Sequence, residues 1–206
     1  MPWDHALAFA AACVVFLPIP GPTVLLVISY ALAHGRRAAL AMVAGVALGD
    51  LTAISASLLG MGALLATSAA AFTLLRWAGG AYLIWLGVKL WRAPVAEPTD
   101  APAPDTPPLR MAAHAYAVTA LNPKSITFFI AFVPQFLVPA HPFAPQAATV
   151  IAIFVSLAAV NAGLYALLAA AARERLRQRR VRLAMNRTGA TLLAGAGLLA
   201  IALGRA

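Results

Sequence analysis

Pro18-Ile19-Pro20-Gly21-Pro22 and Asn122-Pro123-Lys124 each interrupt an apolar stretch long enough to cross a membrane. Proline lacks a backbone donor and clashes with the preceding turn, so a helix kinks or breaks there. Gly21 adds conformational freedom at the first break. In hydrocarbon, broken backbone is tolerated only where it faces protein or a water-filled cavity. Two such breaks at corresponding places in two halves of a chain point to a binding site of the kind secondary transporters build.

The composition agrees. Of 206 residues, 63% are hydrophobic and 10% are charged, with a mean hydropathy of +0.87. A soluble domain would need far more polar surface. The net charge of +9 does not indicate nucleic acid, because most of it lies in short loops between apolar runs, where membrane topology is encoded. Cys13, the single cysteine, cannot form an internal disulfide and reads as a small packing residue. The first charged residue is Asp4, so a basic n-region is missing, and the apolar run continues to Leu32 with no cleavage site. The N-terminus therefore does not read as a signal peptide.

Six spans are expected, over about residues 5–33, 38–66, 72–91, 111–138, 145–172 and 186–204. Spans one and four contain the breaks. Thr67 to Ala71 reads as a small-residue turn. Residues 93–110 hold a proline run with Glu97, Asp100 and Asp105, and read as an exposed linker that cannot be helical. Arg36, Arg37, Lys89, Arg92, Arg110 and the Arg173–Arg187 cluster share one side; Arg76 and Arg205 lie on the other. The positive-inside rule puts the basic side in the cytoplasm and both termini in the periplasm. The arginine cluster also suits contact with anionic membrane lipid.

The halves look related. Pro22 matches Pro123, and Asp50 matches Asn161. Gly79 and Gly87 in span three match Gly189 and Gly197 in span six, with the same spacing. Three spans per half force the second half to enter from the opposite side. The fold expected is an all-α integral membrane protein of two inverted three-helix repeats, residues 1–92 and 111–206. The glycine faces would also allow a homodimer.

At about 1.5 Å of rise per residue, Pro20-Gly21, Asp50, Lys124 and Asn161 all fall close to mid-membrane. Asp50 is the one acid inside a span. It reads either as a ligand for a substrate ammonium or a coupling proton, or as half of a static pair with Lys124. Lys124 could neutralise Asp50 or attract a substrate carboxylate. Asn122 could cap the half-helix that begins at Pro123, and exposed N–H groups there, or after Pro22, attract an anion. Asn161 reads as a site hydrogen bond or a helix-joining one. Thr23, Ser29, Ser125, Thr127 and Ser156 read as packing or backbone-bonding residues. Tyr82, Trp85, Tyr116 and Tyr165 could line a cavity, and Trp3, Trp77 and Trp91 suit the membrane interface. His34, His114 and His141 have no metal-ligand spacing, and there is no phosphate loop or nucleophile elbow. No metal, cofactor or catalytic residue is expected.

Several stretches resemble the lysine exporter (LysE/RhtB) family of bacterial amino-acid exporters. They are Pro20-Gly21-Pro22-Thr23 through Gly35-Arg36-Arg37-Ala38, Gly45-x-x-x-Gly49-Asp50, Gly79-Gly80-Ala81-Tyr82-Leu83-x-x-Leu86-Gly87-x-Lys89, Asn122-Pro123-Lys124-x-x-x-Phe128-Phe129, and Asn186-Arg187-x-Gly189 with Gly197. The resemblance covers nearly the whole chain apart from the linker. Pro18, Pro107-Pro108 and the acidic, proline-rich linker fall outside the shared pattern. It implies an inner-membrane exporter of amino acids or close derivatives, driven by the proton gradient. It carries functional expectation onto Pro20, Gly21, Pro22, Asp50, Asn122, Pro123 and Lys124. The rival readings are a passive channel or a membrane scaffold subunit; an embedded enzyme would need paired acids or a nucleophile set that the spans lack.

Overall fold

The computed structural model describes residues 1–35, 37–67, 69–93, 106–171 and 178–202. Among them every regular element is a helix: α1 (Trp3–Phe16), α2 (Pro22–His34), α3 (Arg37–Thr67), α4 (Ala69–Arg92), α5 (Pro108–Ala120), α6 (Pro123–Phe132), α7 (Phe143–Ala171) and α8 (Arg179–Ala202). A short 3₁₀ turn, Val133–Phe136, extends α6.

Within α3 and α7, Ala38–Gly62 and Phe143–Ala169 are long and apolar enough to cross a membrane. The pair α5 and α6, bent by 41°, meets the same criterion when its two pieces are taken together. Helices α1 and α2 are apolar but shorter.

Both proline motifs break the chain as expected. Helix α1 stops at Phe16, and α2 starts at Pro22 behind an extended Gly21. Helix α5 stops at Ala120, and α6 starts at Pro123 behind Asn122. Proline suits the first helical position because the N–H it lacks has no intrahelical partner there. The same rule corrects two boundaries. Pro108 opens α5, so residues 108–110 are helical rather than linker. Ala69–Ala71 belong to α4 rather than to a turn, because alanine is the strongest helix former. Helix α8 begins at Arg179, inside the expected basic loop. Residues 94–105 of the linker and Arg173, Arg175 and Arg177 lie outside the described residues.

Helix α2 ends at Gly35, whose φ of 62° lies in the left-handed region and lets the chain reverse at once into α3. Helix α3 then packs against α5 and α7. Its approach to α5 requires Gly45 and Gly49. A Cβ on Gly45 would strike the Ala112 carbonyl oxygen, and one on Gly49 would lie 2.7 Å from Thr119 Cβ and 2.8 Å from Tyr116 O. An aromatic core joins α1, α6 and α7: Phe16 stacks on Phe128 with centroids 3.9 Å apart, and Phe129 meets Phe154 edge-on at 4.7 Å.

Helices α4 and α8 pack along their length, and their contact is internally symmetric. A Cβ on Gly87 would meet Ala190 O and Ala194 N; one on Gly197 would meet Gly80 O and Ile84 N. Residues 80, 84 and 87 correspond to 190, 194 and 197 through one constant offset of 110. Leu83 and Leu193, related by that offset, are both buried. The remaining glycines of each pair face the broken helices instead: Gly79 sits against Ala131 of α6, and Gly189 against Ile19 and Pro20 of the first break. The two glycines in each helix thus serve different neighbours rather than one common face.

Candidate functional site

A helix that stops leaves carbonyls without intrahelical donors. At the first break Phe16 O and Pro18 O lose their usual helical donors, because residues 20 and 22 are both proline; Phe16 O still accepts from the Ile19 N–H at 3.2 Å. The second half of the chain supplies further donors. Lys124 Nζ donates to Ile19 O at 2.8 Å and to Phe16 O at 3.5 Å. Asn161 Nδ2 donates to Leu17 O at 3.4 Å, and Tyr165 Oη to Pro18 O at 2.8 Å. Four successive carbonyls are covered by three side chains from α6 and α7. A cation at a helix C-terminus is also favoured by the helix dipole. The Lys124 ammonium further lies 4.5 Å from the centre of the Phe16 ring, a cation–π contact. Gly21 leaves room for this arrangement, since a Cβ there would sit 3.3 Å from Lys124 Cδ.

The second break is organised by Asn122. Its Oδ1 accepts from the Lys124 backbone N–H at 3.0 Å, which caps α6. Its Nδ2 donates to Thr23 Oγ1 at 3.1 Å, and Thr23 Oγ1 lies 3.2 Å from Thr119 Oγ1. This chain of polar groups ties the start of α2 to the end of α5 and the start of α6.

Asp50 comes from α3, one residue beyond the Gly49 contact that presses α3 onto α5. It is 3% exposed, and it lines one cavity with Thr23, Asn122, Lys124, Asn161 and Tyr165. The cavity measures about 30 Å³, room for about two water molecules and less than any amino acid needs. This conformation leaves too little space for a substrate beside the polar cluster.

Asp50 makes no hydrogen bond or ion pair to any described residue. No nitrogen–oxygen pair between it and Lys124 is within 4.0 Å; among the described residues only His5 and Asp4 approach so closely. The structure therefore does not contain the direct Asp50–Lys124 pair that the sequence leaves open. Lys124 spends its donors on backbone carbonyls, and the carboxylate lines the cavity opposite it with no hydrogen bond to a described residue.

The residues singled out in the sequence converge. Asp50, Asn122, Lys124 and Asn161 line the cavity, and Pro20, Gly21, Pro22 and Pro123 form the two breaks that border it. Of the aromatic candidates, Tyr165 lines it, whereas Tyr116 borders a separate groove on α3 and α5. Trp85 is half-exposed and stands beside Lys89. Thr23 and Ser125, read as packing residues, also line the cavity, and Phe16 and Thr119 enter through contacts that no motif announces. Each sits within one helical turn of a break or across from one, which is the signal that could have found them. No group of three or more His, Cys, Asp or Glu suited to a metal occurs among the described residues.

Comparisons with known proteins cover the same ground. Residues 14–203 match the protein family described as LysE type translocator. An uncharacterized membrane protein of Vibrio cholerae is 34% identical over 94% of both chains. A homoserine/homoserine lactone efflux protein of Salmonella typhimurium is 39% identical over 60% of each chain. A leucine efflux protein of Klebsiella pneumoniae is 29% identical over 64% of this chain and 62% of its own. No solved structure matches.

Proposed function

The chain belongs to the LysE type translocator family, and from that premise we propose that it is a secondary active exporter of amino acids or close derivatives across the bacterial inner membrane, driven by the proton gradient. The observation that carries this reading is the small cavity between the two breaks, which one buried carboxylate and one buried ammonium line without touching. The relatives named for efflux of homoserine, its lactone and leucine support the substrate class.

In this reading α1 with α2, and α5 with α6, each make one broken span, and α3, α4, α7 and α8 make the other four. The constant offset of 110 across the α4–α8 contact supports an inverted repeat, because a two-fold relation maps each helix onto the other. The packing of α3 on α6 and of α7 on α2 supports the same exchange of halves. Asp50 takes the substrate ammonium or a proton, and the substrate carboxylate turns to Lys124 at the start of α6. Rocking of the halves opens the closed cavity to each side in turn. The basic loops lie in the cytoplasm.

The test is efflux from cells preloaded with a mixture of amino acids, compared with an empty vector, with and without a protonophore. Selective efflux against a gradient, abolished by the protonophore, is expected. Efflux that only equilibrates and ignores the protonophore would instead indicate a passive channel. No efflux of any amino acid, with the protein present in the membrane, would sink the reading.

A further inference from the structure

The interior of this protein carries a charge inventory that restricts its substrate. Among the described residues, the buried charged side chains are Asp50 and Lys124, and both line the same cavity. The chain has six acids. Besides Asp50 they are Asp4, Glu97, Asp100, Asp105 and Glu174. Asp4 is exposed near the start of α1, and the other four fall by sequence in the linker and the basic loop. Among the described side chains Asp50 is therefore the one buried carboxylate and Lys124 the one buried ammonium that these helices offer a site.

From this we infer that the cavity accepts α-amino acids whose side chain carries no charge. The inference rests on the proposed amino-acid site and names its substrate class. The two charges share a cavity without touching, so the head of a zwitterion can enter between them. Its ammonium meets the Asp50 carboxylate, which makes no hydrogen bond to a described residue. Its carboxylate meets Lys124, whose ammonium has three N–H groups, two of them directed at Ile19 O and Phe16 O. With one negative and one positive residue, a zwitterion leaves the loaded site electrically neutral. A lysine-like substrate would leave one positive charge uncompensated, and a glutamate-like substrate one negative charge. Uncompensated charge at that depth is strongly disfavoured.

The rest of the lining fits the same class. Val24, Val27, Val46, Ala158 and Ala162 form the apolar part of the wall. The polar members Asn122, Asn161 and Tyr165 are already committed to Lys124 N, Thr23, Leu17 O and Pro18 O. What a substrate side chain finds is a small, largely apolar surface offered by α2, α3 and α7, with the Ser125 hydroxyl beside it, suited to uncharged aliphatic or hydroxylated groups.

The experiment is thermal denaturation of the full-length protein purified in detergent, titrated separately with alanine, valine, leucine, methionine, lysine and glutamate. A ligand that binds only the folded state raises the midpoint in proportion to its affinity. At least one uncharged amino acid should raise it saturably, with lysine and glutamate needing concentrations on the order of a hundredfold higher or having no effect. Lysine or glutamate stabilising at the same concentration as the best uncharged amino acid would overturn the charge argument while leaving an amino-acid site standing. Stabilisation by none of the six would overturn the amino-acid site, and this inference with it.

Discussion

Asp50→Asn should disable transport while changing the stability of the protein little. The side chain is 3% exposed and makes no hydrogen bond to a described residue, so the amide, nearly the same size, breaks no contact. It removes a buried carboxylate, and a lone charge inside a membrane costs about 2.5–3.5 kcal/mol on insertion scales, but it also leaves the buried Lys124 ammonium without that counter-charge, so the two effects oppose. For a chain of about 200 residues each kcal/mol moves the thermal midpoint by about 2–4 °C, so the variant should melt close to the wild-type temperature. Substrate binding should change more. A hydrogen bond to a charged group contributes about 1.5–3 kcal/mol, so replacing the carboxylate weakens ammonium binding by about 10- to 150-fold. Efflux from preloaded cells and thermal denaturation of the purified variant measure the two effects independently. Efflux at the wild-type rate would refute the role of Asp50 at the site. A midpoint lowered by several degrees would show that Asp50 holds the fold together, as a static pair would require.

Tyr165→Phe removes the donor to Pro18 O at 2.8 Å and leaves that carbonyl without the N–H that Pro22 cannot supply. Side-chain hydrogen bonds within membrane proteins average about 0.6 kcal/mol and reach about 1.7, so a thermal midpoint lowered by about 1–7 °C is expected; an unchanged midpoint would mean that this cap contributes nothing. Gly87→Ala and Gly197→Ala should destabilise by similar amounts, each in the range of about 1–3 kcal/mol typical of overpacking, because the added Cβ meets symmetry-related backbone atoms. Thermal midpoints of the two variants differing by more than a few degrees would contradict the two-fold relation of α4 and α8.

Much of this was legible in the sequence, for physical reasons. Proline leaves a local mark wherever it falls, so Pro20-Gly21-Pro22 and Asn122-Pro123 announced where helices stop and restart. Asp50 and Lys124 stood out because charge is rare in apolar runs. The glycine spacing announced two related helices. What the sequence concealed was which group each side chain touches. For Lys124 and Asp50 a static ion pair and separate roles at a site were both open, since opposite charges at one depth attract. The pairing lost to a nearer demand: Nζ is spent on Ile19 O at 2.8 Å and Phe16 O at 3.5 Å, two carbonyls at the end of α1. Tyr165 was ambiguous for the same reason, because its partner is a backbone atom far away in sequence. Helix ends were legible to within a few residues, as Pro108 shows; a proline that looks like a linker residue is equally suited to open a helix.

The capping of the first break by the second half has a mechanical consequence. Lys124, Asn161 and Tyr165 both line the cavity and close the end of α1. A substrate carboxylate that draws the Lys124 ammonium toward itself must compete with Ile19 O and Phe16 O for the same protons. Binding then loosens the link between α1 and α6, and that link joins the two halves. Coupling of this kind needs no separate signal between site and gate, because a ligand can shift a conformational equilibrium only through contacts that differ between the states. The carbonyls of the first break provide such a difference: held by Lys124 when the cavity is closed and empty, they must find other donors once the lysine turns to a substrate. A chain whose lysine instead bonded Asp50 would fill the same space, but substrate binding would then break an ion pair and leave the helix end untouched.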